Sequence, residues 1–243
     1  MRKFALIEGL PKDLREGMKD GLPICLGYIS VSFAFGMRVA LAGMPVWIAG
    51  LISLSNLTSA GQFAGVNLLL ADGSYLELII TTLIINTRYF LMSMSLSQKV
   101  NGEFNTFRRL SASFGVTDEI FAVSMGHKGK ISPLYMCGLI MLPVFGWTTG
   151  TIMGGIASGL LPETATNALG IALYAMFMAI IIPPAREKVS VLAVVLAAAG
   201  LSVAFDRIPA LTALSGGWSI VIITILVASI AAILFPVEED PYE

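Results

Sequence analysis

Seven apolar stretches dominate this sequence, at about 22–42, 46–70, 75–97, 131–155, 167–183, 189–205 and 217–235. A bilayer core needs about 20 apolar residues per helical crossing. With every backbone polar group obliged to bond within the segment, helices are the economical way across. The expected fold class is therefore an all-α integral membrane protein. The remaining composition agrees: 13% of the 243 residues are charged, against about 25% in soluble domains, and mean hydropathy is +0.83. No room is left for a large soluble domain.

Seven simple crossings conflict with the distribution of Lys and Arg. Basic residues cluster in 1–20 (Arg2, Lys3, Lys12, Arg15, Lys19), in 98–130 (Lys99, Arg108, Arg109, Lys128, Lys130) and in 184–188 (Arg186, Lys188). Basic connections face the cytoplasm. If 46–70 crossed once, the first two clusters would lie on opposite sides. If it enters and leaves on the outer side, twelve of the fifteen Lys and Arg become cytoplasmic. Trp47, Tyr75 and Trp218 then fall at the outer interface, where aromatic residues are favoured. The reading is six transmembrane helices plus one re-entrant, broken helix at about 46–70, with both termini inside. Residues 1–20 form a cytoplasmic amphipathic leader, 21–235 a single transmembrane domain with a cytoplasmic connection at about 98–130, and 236–243 an acidic cytoplasmic tail.

The segment 55–65, SNLTSAGQFAG, puts polar residues and two glycines inside an apolar run. A helix from Val46 to Ser55 is about 15 Å long, half the hydrocarbon core. The turn after it falls near the midplane, and so does Arg88 in YLELIITTLIINTRYFLMSMSLS. An arginine there costs from about 2.5 to more than 10 kcal/mol, depending on how it is measured. Irregular backbone at that depth is tolerated only in protein or beside a wet cavity. Broken helices that meet at the midplane are how many transporters build substrate sites.

Other features are weighed against plainer roles. Arg38 lies near the outer end of its span and can snorkel. Glu77 reads as interfacial. Asp118 and Glu119, in SFGVTDEIFAVSMG, are either first-turn acids of a solvated helix capped at Thr117 or Asp118, or partners of Arg88, or proton carriers. Gly146, Gly150 and Gly154, and likewise Gly155 and Gly159, repeat at four-residue spacing and predict close helix packing. Cys25 and Cys137 are far apart, and His127 is the single histidine, so a histidine metal site is not expected.

In order and spacing these motifs are similar to those of the azaleucine-resistance permeases, the AzlC-type large subunits of branched-chain amino-acid exporters. AGQFAGVNLLL, then TTLIINTRYFLMSMSLS, then TDEIFAV carry the resemblance, supported by GLPICLGYISVSFAFG, WTTGTIMGG and ALYAMFMAIIIPP. It covers about 21–235. It implies proton-driven export of leucine, isoleucine, valine or similar amino acids across a bacterial cytoplasmic membrane. It also implies a small AzlD-type membrane subunit as partner. No enzyme activity, cofactor, metal or nucleic acid is expected.

Within that frame Arg88 is expected to hold the substrate carboxylate, helped by the amide-rich start of a half-helix near Ser59. Asn56, Ser59, Gln62 and Asn86 would orient the substrate, Gly61 stands in the same motif, and Phe63 and Tyr89 would meet its side chain. Asp118 and Glu119 are the expected coupling or ion-pair residues. The rival reading is a non-transporting assembly subunit whose small partner carries the path. A passive channel or a membrane-embedded enzyme fits less well, because one histidine and two distant cysteines leave few catalytic groups.

Overall fold

The computed structural model describes residues 10–160, 164, 178, 181–208 and 217–235. Most of the expected span 167–183, the first nine residues and the tail 236–243 lie outside them. The helices whose bounds lie within the described residues are, in chain order, α1 (Lys12–Leu41), α2 (Val46–Ser55), α3 (Ser59–Leu70), α4 (Tyr75–Lys99), α5 (Thr106–Phe114), α6 (Asp118–Gly126), α7 (Pro133–Ala157), α8 (Val189–Arg207) and α9 (Gly217–Leu234). The described residues hold no strand beyond one isolated bridge, Val100 to Ile131. Helices α1, α4, α7 and α8 are long and apolar enough to cross a membrane. The protein is an all-α membrane protein.

The chain divides into two compact units, Met1–Phe63 with Asn86–Leu173, and Ala64–Ile85 with Tyr174–Glu243. The first is built on the seam between α1 and α7. Glycines on both helices replace side chains with backbone contact. A Cβ on Gly17 would stand 2.1 Å from the Tyr135 carbonyl oxygen, on Gly36 1.8 Å from that of Thr151, and on Gly154 1.9 Å from that of Phe33. Without a hydrophobic driving force in lipid, this closeness is what lets dispersion hold helices together. Gly155 meets Val46 of α2 instead, and a Cβ on Gly159 would touch nothing within 4 Å. The four-residue repeat thus packs through Gly146, Gly150, Gly154 and Gly155 and stops before Gly159.

Contacts along the seam advance together, from Gly17 at Tyr135 through Cys25 at Gly146 to Phe33 at Gly154. Helices α1 and α7 are therefore parallel. The C-terminal end of α4 sits at the same level as their starts. Lys130 Nζ donates to the Gln98 carbonyl at 2.7 Å, Ile131 N to that of Lys99 at 3.0 Å, and Lys99 Nζ to the Met125 carbonyl.

The leader differs from expectation. Helix α1 is continuous from Lys12, so the charged residues to Asp20 are its first turns and not a separate element. Two of their acids have partners at the start of α7: Ser132 Oγ, at its N-cap, donates to Asp13 at 2.5 Å, and Tyr135 OH to Asp20 at 2.7 Å. In the second unit α8 packs on α9, and a Cβ on Gly65 would lie 3.3 Å from Leu78 Cδ1. Asp72 turns the chain toward α4 with φ of 53°, a left-handed conformation that Asp tolerates better than most residues.

Candidate functional site

Helix α2 ends at Ser55 and α3 begins at Ser59. Asn56 is extended (φ −152°, ψ 148°), and its N–H closes α2 on the Ile52 carbonyl. The Thr58 carbonyl accepts from Gly61 N at 2.6 Å and opens α3. A helix start leaves its first N–H groups without intrahelical partners, so amides and the positive end of α3 gather at this break.

A closed ring of hydrogen bonds fastens both half-helices to α7. Trp147 Nε1 donates to Gln62 Oε1 at 2.9 Å, and Gln62 Nε2 to Ser53 Oγ at 3.4 Å. Ser53 Oγ lies 2.7 Å from Thr151 Oγ1, which donates to the Trp147 carbonyl at 2.9 Å. Each hydroxyl has one proton to give, so the ring closes only if Ser53 donates to Thr151. All four side chains are buried, and a fully satisfied buried network rigidifies what it joins. Gln62, expected to orient substrate, is thus engaged within the fold. Phe63 packs edge-on against Phe35 of α1, centroids 5.2 Å apart.

Asn86, Arg88 and Tyr89 lie midway along α4. Asn86 faces the start of α3: its Oδ1 and Thr58 Oγ1 stand 3.4 Å and 2.0 Å from where a Cβ on Gly61 would be. Gly61 is therefore what lets these groups approach. Tyr89 follows Asn86 by one turn on the same side of α4, and the Arg88 guanidinium lies over its ring, 5.0 Å from the centroid. Arg88 Nη1 is 2.6 Å from Asp118 Oδ2, and its Nη2 reaches Tyr89 OH at 3.4 Å.

Asp118 and Glu119 open α6, which is capped by Thr117 Oγ1 accepting from Ile120 N at 3.3 Å. The two acids serve different helices. Asp118 holds Arg88 of α4, while Glu119 Oε2 lies 2.6 Å from Tyr28 OH of α1. The same hydroxyl is 2.7 Å from Thr117 Oγ1. One phenol proton serves one acceptor; the carboxylate, which can only accept, takes it, and Thr117 donates to the phenol oxygen. Tyr28 in turn meets Trp147 edge-on at 5.2 Å. A polar line therefore runs from the break through α7 to α6 and Arg88.

Three atoms on this line are buried with no hydrogen-bond partner: Thr58 Oγ1, Asn86 Oδ1 and Arg88 Nε. Buried polar atoms are nearly always paired. A hydroxyl, an amide oxygen and one charged N–H donor are therefore left open to a polar partner. Asn56 and Ser59 flank the break, half-buried. Among the described residues no group of three potential ligands could hold a metal. Sequence reasoning missed Tyr28, Ser53, Thr58, Thr117 as a partner of Tyr28, Trp147 and Thr151. Only Thr58 carried a signal, as part of the polar stretch it shares with Asn56 and Ser59.

Comparison with known proteins agrees with this architecture. The chain is 30% identical over 182 residues to the inner membrane protein YgaZ of Escherichia coli, covering 72% of this chain and 74% of that one. It is 31% identical over 176 residues to an uncharacterized membrane protein of Archaeoglobus fulgidus, covering 72% and 77%. It is 24% identical over 164 residues to the branched-chain amino acid transport protein AzlC of Bacillus subtilis, covering 66% and 63%. No solved structure matches. The model of the AzlC protein family matches residues 23–161, more than half of the chain, and the protein belongs to that family of membrane transport proteins.

Proposed function

We propose that this protein is the permease subunit of a secondary transporter that exports branched-chain and similar apolar amino acids, driven by the proton gradient. The observation that carries the reading is Arg88: a mid-helix arginine with Nη1 on Asp118 and Nε buried without an acceptor. Nε and Nη2 share one edge of the guanidinium, so a substrate carboxylate can dock on that edge bidentately while Asp118 keeps Nη1. The substrate ammonium would donate to Asn86 Oδ1 and Thr58 Oγ1. The α3 start adds its dipole to the hold on the carboxylate. Asn56, Ser59 and Tyr89 border the substrate, Gly61 gives the room, and Gln62 and Phe63 act through the fold.

Parallel α1 and α7 support the re-entrant assignment of 46–70. Between them only α4 is long enough to cross, and α5 and α6, nine residues each, span about 14 Å. One crossing returns the chain to the side where α1 began, so α2 and α3 together make no net crossing. The basic residues at the start of α1 and those of 98–130 share that side, which would be the cytoplasm of a bacterial inner or plasma membrane, with both termini there. A small AzlD-type membrane subunit would complete the exporter.

The test is efflux from bacterial cells lacking their own exporter, loaded with an isoleucine-containing dipeptide. Wild type with its small partner should release isoleucine, and Arg88→Ala, at equal membrane abundance, should not. Arg88→Lys should fail nearly as badly, because an ammonium offers no parallel pair of donors. Export by Arg88→Lys at the wild-type rate would remove the bidentate role. No export by wild type would favour the assembly-subunit reading.

A further inference from the structure

We propose that the cleft between α5 and α7 is a binding site for phosphatidylethanolamine, a glycerophospholipid whose headgroup joins a phosphate to a primary ammonium. The cleft measures about 490 Å³ and is apolar inside, lined by Phe104, Phe107, Leu134, Met136, Ile140 and Met141, with Cys137 also on its wall. Two exposed charged residues also line it, Arg108 and Glu103. They do not neutralise each other: Arg108 Nη1 donates at 2.7 Å to the main-chain carbonyl of Glu103, not to its carboxylate. Among the described residues the salt bridges are Arg88 with Asp118 and Arg207 with Asp206. The guanidinium is thus oriented but still cationic, with an uncommitted carboxylate beside it.

Position selects a lipid over a soluble ligand. The cleft opens at the first turns of α7, the end that meets the charged start of α1 and the basic connection 98–130, and Ile140 lies about 10 Å further along the axis. That is the depth of the upper part of an acyl chain below its headgroup. Helix α5 suits the same plane. Asn105 caps it by accepting from Arg108 N at 2.9 Å. Phe107, Leu110 and Phe114, at i, i+3 and i+7, project from one side and are 76%, 66% and 45% exposed. A short helix with an apolar face and basic flank lies in the membrane interface. One acyl chain would fill the cleft. The phosphate would meet Arg108, and the ammonium Glu103. A phosphatidylglycerol headgroup leaves Glu103 facing excess negative charge, and a phosphatidylcholine headgroup has no N–H to donate to it. Arg109 faces a separate cleft against α4, with its Nε 3.4 Å from the Phe104 carbonyl, so it serves as a control.

Cys137 reports occupancy, because it is exposed while Cys25 is buried. The full chain in detergent micelles is titrated with phosphatidylethanolamine, phosphatidylcholine or phosphatidylglycerol. Lipid retained is read by native mass spectrometry, and maleimide alkylation of Cys137 is timed. Phosphatidylethanolamine should bind about tenfold more tightly than the other two and slow alkylation in proportion. Arg108→Gln should abolish the protection, Glu103→Gln should bring phosphatidylethanolamine level with phosphatidylcholine, and Arg109→Gln should change neither. Ile140→Trp, which fills the cleft and leaves both charges, should block retention of all three. Equal protection by the three lipids, or equal loss in Arg108→Gln and Arg109→Gln, would reduce the site to a diffuse basic surface and overturn the proposal. Protection of Cys137 only when a second membrane chain is co-expressed would also overturn it, because the cleft would then be a subunit interface.

Discussion

Gly154→Ala and Gly27→Ala make the same chemical change on the two seam helices and should have opposite effects. At Gly154 the new methyl would lie 1.9 Å from the Phe33 carbonyl oxygen and 2.8 Å from its Cα. Both are backbone atoms, so no rotamer can relieve the clash; α1 and α7 must part by more than 1 Å locally. Parting them also loosens Gly150 against Ile29 and Gly36 against Thr151, which sit in the same seam. Overpacking of this kind costs about 1–3 kcal/mol, and lost seam contacts put this site toward the upper end. The better helix propensity of Ala returns about 1 kcal/mol, leaving a net loss of about 2 kcal/mol. Gly27, exposed on α1, has nothing within 4 Å of its would-be Cβ. There the propensity gain stands alone, up to about 1 kcal/mol. The assay uses a dye that fluoresces on reacting with thiols. Exposed Cys137 gives the baseline, and buried Cys25, on the seam at Gly146, reacts on unfolding. Gly154→Ala should lower the temperature of the second phase by several degrees and Gly27→Ala should hold or raise it. Equal midpoints for the two variants would refute the backbone-contact seam as the source of stability.

Other predictions follow from single hydrogen bonds. Gln62→Leu removes the acceptor of the buried Trp147 indole N–H, and an orphaned donor costs about 1–3 kcal/mol. Gln62→Glu, which keeps an acceptor, should lose less on thermal unfolding, and equal losses would show that the ring does not fasten the half-helices. Tyr28→Phe leaves Glu119 without its phenol donor, and bonds to charged groups are worth about 1.5–3 kcal/mol. Adding Glu119→Gln should recover part of that loss in the same assay; strictly additive effects would rule out coupling of the two groups. Asp118→Asn should let Arg88 keep its place but change substrate concentration dependence, while Asp118→Arg should abolish efflux by opposing two cations. Wild-type efflux in Asp118→Arg would dissociate the pair from transport.

What the sequence revealed and what it hid divide along the range of the interactions. The break between Ser55 and Ser59 was readable because its cause is local: Asn56, Thr58 and the flanking serines favour turns and caps over helix interiors, and Leu57 is the one apolar residue among them. Arg88 was readable because its cost is local too, one charge inside a long apolar run. The AzlC membership was readable because these local signals come in a fixed order. The α1–α7 seam was only half visible. Gly146, Gly150 and Gly154 announce a flat helix face, but that it lies on the backbone of Cys25, Ile29 and Phe33 depends on which helices are neighbours. The charged start of α1 misled for a related reason. Asp13 and Asp20 look solvated until Ser132 and Tyr135, more than a hundred residues away, supply their donors. Tyr28 shows the limit most clearly. In the sequence it is one hydroxyl in an apolar helix, able to point at lipid headgroups or at nothing. In the fold it joins Glu119 to the face of α1 that packs on Trp147 of α7, so the acidic pair binds two helices through two different residues. That division is physically consequential: with Glu119 tied to α1 and Asp118 to α4, the first turn of α6 joins the seam helix to the helix that carries Arg88.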